Sequence, residues 1–373
     1  MRRVAAAAAV LLIGGLAAAG ARAGEHGEPA GPDGARTGAL AQPAVCGAAR
    51  DRRAAYGWPV RPFDRQHPIR GSFGDPRTVE RSADPVDGPG SRGSFQFHNG
   101  IDIVASDGTP VYPVLDGVAR VRHRHEVSVR SRGGRVFQYW HIDPVVRSGQ
   151  RVRQGATVLG VVQRGAHHVH LGEIDSMRVV NPLAAGHLGP YDDRQAPVVR
   201  ALLARTPHGA PVPLRALRGE VALIADTFDE QPLPFWGPWF GKPVAPAVVR
   251  WRLLDAHGHP LLRWRQVFDV RLHEPPPIRF WQVYAPGTFQ NFPVLDDHYD
   301  WGRPGRYLYR LTRDLLDTRR LPNGGYTVQV AVRDVCGNHA ELRQPVTLAN
   351  TSFEVGFATT PLYRDGPAHE VLR

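Results

Sequence analysis

The sequence predicts an all-β chain with two strand-rich regions, an antiparallel sheet domain and then an immunoglobulin-like β-sandwich. Three observations carry this. Glycine (40 residues) and proline (34) are abundant over 373 residues, which favours turns over long helices. Short apolar runs at Gly100–Val104, 111–114, 117–121, 127–129 and 158–162 are separated by Gly-bearing turns, the pattern of a tight antiparallel sheet. In the second half, residues 248–253 and 326–332 alternate apolar and polar side chains, so one face is buried and the other wet.

Taken in order, residues 1–23 read as a secretory signal. Arg2 and Arg3 precede an apolar stretch over 4–19, and Ala21-Arg22-Ala23 supplies a small-residue cleavage site. That stretch falls short of the roughly 20 residues a bilayer span needs. Nothing later is long and apolar enough either, so no membrane span is expected after cleavage, and the chain is expected to work in the periplasm or cell envelope. Residues 24–44, rich in Gly, Ala and Pro without an apolar period, read as a flexible leader. Residues 45–185 form the first domain and 186–218 a linker with a short helical candidate at 198–203. Residues 219–350 form the sandwich, where Leu321-Pro322-Asn323-Gly324-Gly325 is a turn feeding the strand at 326–332. Residues 351–373 read as a tail. Cys46 and Cys336 are the only cysteines. Outside the cytoplasm an even pair suggests a disulfide, closing a long loop and contributing ~2–4 kcal/mol.

The charge balance, 46 Lys+Arg against 35 Asp+Glu, gives +11, and Lys242 is the only lysine. Charge speaks to partners and solubility, not to fold. No basic run is interleaved with an RNA-binding aromatic motif, and no helix-turn-helix or zinc-finger spacing occurs, so nucleic acid is not an expected partner. Outside the membrane the remaining polyanions are wall polymers and anionic lipid headgroups.

Four histidines and an aspartate in the first domain carry the chemistry. His98 and Asp102 are four apart, but Asn99-Gly100 and the β-like run after them speak against a helix, so the pair sits where a loop enters a strand. His168-Val169-His170 places two imidazoles at i and i+2, which on a strand share a face. Tyr139-Trp140-His141 supplies a further imidazole at the end of a β-like run. Catalytic zinc needs three N/O ligands and an open position. His98, Asp102 and one of His168 or His170 satisfy that count, and the remaining imidazoles can move a proton or steady an oxyanion. His123-Arg124-His125 also spells H-x-H, but it lies in a charged run with no partner aspartate motif and reads as a solvated strand face. His167 points away from His168 and reads as structural or groove-lining. Asp296-Asp297-His298-Tyr299-Asp300 lacks the spacing of a calcium loop and reads as an acidic turn. Trp236, Trp239, Trp251 and Trp264 read as sandwich core rather than a sugar-stacking platform.

In their order these residues resemble the lysostaphin- and LytM-type zinc endopeptidases that cut the peptide cross-links of bacterial cell walls. The resemblance runs from about Trp58 to Pro182. Its motifs are Phe73-Gly74-Asp75-Pro76-Arg77, His98-Asn99-Gly100-Ile101-Asp102-Ile103 with Gly108-Thr109-Pro110-Val111 and Asp116-Gly117-Val118, Tyr139-Trp140-His141-Ile142, Gly149-Gln150-Arg151-Val152 with 155–160, and His168-Val169-His170. The resemblance implies a two-layer antiparallel sheet of LytM type (a duplicated hybrid motif) with a groove. It also implies one Zn2+ per chain on His98, Asp102 and His170, His168 as general base and His141 as the second imidazole. The implied substrate is a peptidoglycan cross-link or stem peptide. The loop 163–167 is shorter than the family's usual Gly/Thr/Ser-rich stretch, and Leu171-Gly172-Glu173-Ile174 is longer by one residue than its commonest pattern; these departures bear on groove preference and leave all five polar positions filled. Competing readings are a catalytically silent wall-binding regulator, an envelope structural or adhesive protein, and a metallopeptidase of secreted proteins.

Overall fold

The computed structural model describes residues 46, 54–80, 93–235, 242–289, 294–295, 298–299 and 305–350. The segments read as signal, leader and tail lie outside the described residues, as do Trp236, Trp239, Asp296, Asp297 and Asp300. Among the described residues strands dominate and helix is almost absent, the longest α-helix there being Phe280–Val283. The all-β class is therefore observed. No helix among the described residues is long and apolar enough to cross a membrane.

The largest sheet is antiparallel and runs in the order Ile69–Gly71, Gly100–Val104, His168–Asp175, Val136–Trp140, Glu126–Ser131, Gly117–His123 and Arg151–Val152, with Arg178–Val180 also paired to His168–Asp175. Alternation explains its core: Ile101, Ile103, Val127, Val129, Phe137, Tyr139, Val169 and Leu171 are fully buried on one face, leaving Asp102, His168 and His170 to the other. A second sheet pairs Pro110–Val111, Gly160–Val162 and Ile142–Pro144. The strands Pro76–Glu80 and Gly93–Phe97 form a separate ribbon.

The second half holds two four-stranded antiparallel sheets. One contains Val198–Arg205, Glu220–Phe228, Leu308–Arg310 and Leu316–Asp317; the other orders Arg265–Asp269, Val248–Leu254, Gly324–Arg333 and His339–Leu348. The helix expected at 198–203 is instead the strand Val198–Arg205, paired along its length with Glu220–Phe228. Pro197 precedes it and Val198-Val199 are β-branched, so strand pairing with burial of Leu202 and Ala204 overrides a weak helical period. The second set of sheets thus begins inside the stretch read as linker. Trp251 is core, whereas Trp264 lies against the guanidinium groups of Arg250 and Arg252, 4.5 and 4.6 Å from its ring centre.

The described residues fall in one compact unit, and an apolar cluster runs from Trp58 and Ile101 through Phe97 to Phe268, Tyr284 and Val330. Polar bonds stitch the two halves together. Asp75 Oδ1 accepts from the Ala245 amide at 2.7 Å, Tyr284 donates its hydroxyl to the Gly74 carbonyl at 2.8 Å, and Asn181 Nδ2 donates to the Val270 carbonyl at 2.8 Å. Gly74 has φ +87, and a Cβ there would meet Phe268 at 2.8 Å, so the Phe73-Gly74 motif serves this seam. Cys46 and Cys336 are disulfide-bonded.

Candidate metal centre

Gly100–Val104 and His168–Asp175 are neighbours, with His170 opposite Asp102 and His168 opposite Val104. Directly opposed residues share a face with Cβ atoms about 5 Å apart. The same row continues to Gly71 beyond Asp102 and to Trp140 beyond His170. His98 comes from the loop before the strand. Its amide donates to the Asp75 carbonyl and its carbonyl accepts from the Gly74 amide, both at 2.8 Å, so the loop is held on both sides.

The His98 ring donates Nδ1–H to the Ser72 carbonyl at 2.9 Å, which leaves a lone pair on Nε2. That atom lies 2.8 Å from His170 Nδ1 and 3.2 Å from Asp102 Oδ1, and His170 Nδ1 is 3.2 Å from the same oxygen. One ligand atom from each residue falls within a 4.8 Å cluster, and all three side chains are buried. Burial, then the Arg77 charge, lowers His98 to about 3, so the ring is neutral. A neutral imidazole lone pair turned toward a carboxylate oxygen suits a cation. Ligands about 2.0–2.1 Å from a tetrahedral zinc would stand roughly 3.3 Å apart, close to these separations. The N, N, O set fits Zn2+. Asp102 keeps its charge: burial would raise it, but the Arg77 guanidinium and the hydrogen bond from His170 help hold it well below the usual range. Its second oxygen accepts from Arg77 Nη2 at 2.7 Å. Two glycines make room: a Cβ on Gly100 would lie 2.6 Å from His170 Nε2, and one on Gly71 would lie 2.8 Å from Asp102 Oδ2.

His168 donates Nδ1–H to the Ala166 carbonyl at 2.6 Å, and its Nε2 stands 3.7 Å from Asp102 Oδ1. Burial first, then Arg70 and His141, pushes His168 well below the ordinary imidazole value. His141 has φ 61 and sits between Val136–Trp140 of the large sheet and Ile142–Pro144 of the small one. The left-handed turn brings its ring centre 4.4 Å from that of His168. Burial chiefly lowers His141 to about 4. All five sequence-predicted residues therefore meet at one place, with His98, Asp102 and His170 in mutual contact and His168 and His141 beside them.

Three groups at the site were not singled out from sequence. Arg77 binds Asp102. Arg70 donates Nη2–H to His168 Nε2 at 3.1 Å and places Nε 3.9 Å from Asp102 Oδ2. Trp140, 38% exposed, sets its ring 6.1 Å from His170. Arg77 lies within Phe73-Gly74-Asp75-Pro76-Arg77, its only signal; period-2 alternation could have marked Trp140 as a neighbour of His170. Arg70 had none, because the register slips between Ile69 and Gly71 and a bulge re-aims the side chain. Elsewhere, His167 is exposed and pairs with Asp107 at 3.1 Å. His123 is exposed near Glu126, and His125 bonds Asp143.

An antiparallel sheet thus presents two imidazoles and a carboxylate to one point, with two more imidazoles alongside, a donor set that could hold a metal ion. Residues 96–182 match the family model of peptidase family M23, so the resemblance to the lysostaphin/LytM-type zinc endopeptidases holds over that segment. Among solved structures, a zinc-containing peptidase from Vibrio cholerae is 25% identical, over 34% of this chain and 39% of that one, with TM-score 0.26. The SpoIIQ–SpoIIIAH pore-forming complex is 18% identical, over 31% and 80%, with TM-score 0.24. Helicobacter pylori Csd3 is 19% identical, over 33% and 34%, with TM-score 0.23. The match thus spans 39% of the Vibrio peptidase's own length. No curated protein matches.

Proposed function

We propose that this protein is a secreted, extracytoplasmic zinc endopeptidase that hydrolyses peptide bonds in peptidoglycan cross-links or stem peptides. The convergence of His98, Asp102 and His170 within 4.8 Å carries this reading, supported by the match over 96–182. Those three side chains would hold one Zn2+, which when bound supplies Lewis-acid activation of water and of the peptide carbonyl. Arg77 holds Asp102 through its second oxygen, leaving Oδ1 for the centre. His168, its tautomer set by the Ala166 carbonyl, presents Nε2 to take the water's proton and later return it to the leaving amine nitrogen. His141, neutral and with its ring tilted against that of His168, supports the developing charge. In this reading residues 45–185 are the peptidase part and 219–350 an immunoglobulin-like sandwich that positions it on the wall.

The test is digestion of purified wall, with mass spectrometry of released muropeptides and zinc quantification. The wild type releases peptides and carries about one zinc. A chelator stops release. His98→Ala and His170→Ala lose the metal, while His168→Ala keeps it and loses activity about 10²–10⁴-fold. Full zinc and activity in His98→Ala would sink the proposal. One observation favours a catalytically silent regulator instead: the Nε2 atom of His168 already accepts a hydrogen bond from Arg70. Absence of any cut peptide bond, in wall and in protein substrates alike, would favour that reading.

A further inference from the structure

The His168 contact has a chemical consequence. A guanidinium has only N–H donors, so in the Arg70–His168 pair, 3.1 Å apart, the Nε2 lone pair is the acceptor. Nδ1 is committed as a donor to the Ala166 carbonyl. A base whose lone pair is occupied by a permanent donor cannot take a proton until that donor moves. Arg70 is well placed to move a short distance. It occupies the bulge between Ile69 and Gly71, keeps 13% of its side-chain surface exposed, and has Nε 3.9 Å from Asp102 Oδ2. It therefore stands at the reacting centre rather than at a remote subsite.

We infer that Arg70 is a catalytic residue that passes its Nη2–H bond from His168 to the oxygen of the scissile carbonyl when substrate binds. The inference rests on the hydrolytic reading above and assigns it a substrate-triggered step. An oxygen gaining negative charge is a stronger acceptor for a guanidinium than a neutral imidazole. As Arg70 turns to it, His168 Nε2 is released to accept the proton of the attacking water. The water oxygen bonds to the carbonyl carbon, and the carbonyl π pair moves onto the oxygen held by Arg70. When the carbonyl re-forms, the C–N bond breaks, and the proton on His168 goes to the amine nitrogen. No oxidant or further reactant enters. The same contact keeps the base capped in the absence of peptide.

The experiment compares two probes on the zinc-loaded full chain: a phosphinic analogue of an Ala–Ala dipeptide, with a tetrahedral P–O⁻ in place of the carbonyl, and the same dipeptide with its amide intact. The wild type prefers the phosphinic probe. Arg70→Gln weakens the phosphinic probe about 100-fold, in line with loss of one oxyanion donor, and the amide probe less than about threefold. Arg70→Lys, which keeps the charge, falls between, and both variants retain zinc and the wild-type melting temperature. Equal losses on the two probes, no loss on either, or a wild type without preference overturns the inference. Preference lost in Arg70→Gln in a protein that releases nothing from wall leaves Arg70 assigned and removes the wall substrate.

Discussion

His170 depends on a missing atom. Its ring lies against the Cα of Gly100, where a Cβ would meet Nε2 at 2.6 Å and the Leu171 carbonyl oxygen at 2.4 Å. Gly100→Ala must push either the ring or the strand, and both carry ligands. We expect zinc affinity to fall about 10–100-fold, the range for loss of a ligand's supporting contact, measured by competition with a chromogenic chelator; unchanged affinity would show that the ring relaxes freely. The ligand types were legible in the sequence because period 2 puts His168 and His170 on one face and chemistry restricts which side chains bind zinc. Arg70 was illegible because its approach depends on a bulge, and His141 could be marked but not placed, since a left-handed backbone turn decides where its ring goes.

The strand His168–Asp175 carries the site on one face and a polar anchor on the other. Glu173 is fully buried, yet its carboxylate accepts from Tyr56 Oη, from His187 Nδ1 at 2.9 Å and from Arg135 Nη1 at 3.4 Å. Glu173, in the stretch after the H-x-H motif, thus ties the strand to the segments before and after it. Glu173→Ala strands a buried tyrosine hydroxyl and leaves Arg135 without this partner. We expect a loss of about 3 kcal/mol, read by denaturant titration with unchanged m-value, and a loss under 1 kcal/mol would mean that water replaces the carboxylate. Element types followed from alternation where one face is buried. The strand Val198–Arg205 did not, because its short apolar run fits either period until Glu220–Phe228 pairs with it.

At the scale of the molecule, the two halves share one core, and the candidate metal centre leans on the second half. Phe97, next to His98, has its ring within 6.0 Å of those of Phe268, Phe280 and Tyr284. Near the seam, Asp193, Asp229 and Asp334 bring carboxylate oxygens within 4.8 Å of one another. Burial, and then mutual repulsion, pushes Asp334 up to about 7 and Asp229 well above the carboxylate range; burial with nearby Asp192 takes Asp193 to about 6. The folded chain therefore keeps protons that an unfolded carboxyl, near 3.8, has released. Through these carboxyls unfolding releases protons between about pH 4 and 7, a contribution to stability that falls as pH rises, whereas the neutral His98, His141 and His168 take up protons on unfolding below about pH 6.5 and contribute the opposite slope. Between pH 5 and 8 the wild-type melting temperature is expected to fall relative to that of Asp334→Asn; a difference between the two that does not change with pH would contradict it.

The sequence by itself determined the strand-rich class, the five side chains of the centre and the cysteine pair. Alternation, turn chemistry and ligand type are local properties, written in neighbouring residues. Only the tertiary structure decided that Asp102 faces His170, that arginines hold Asp102 and cap His168, and that the ligand loop packs on the second half. Those follow from register, a bulge and burial between segments far apart in the chain, where no local pattern records which surfaces will meet.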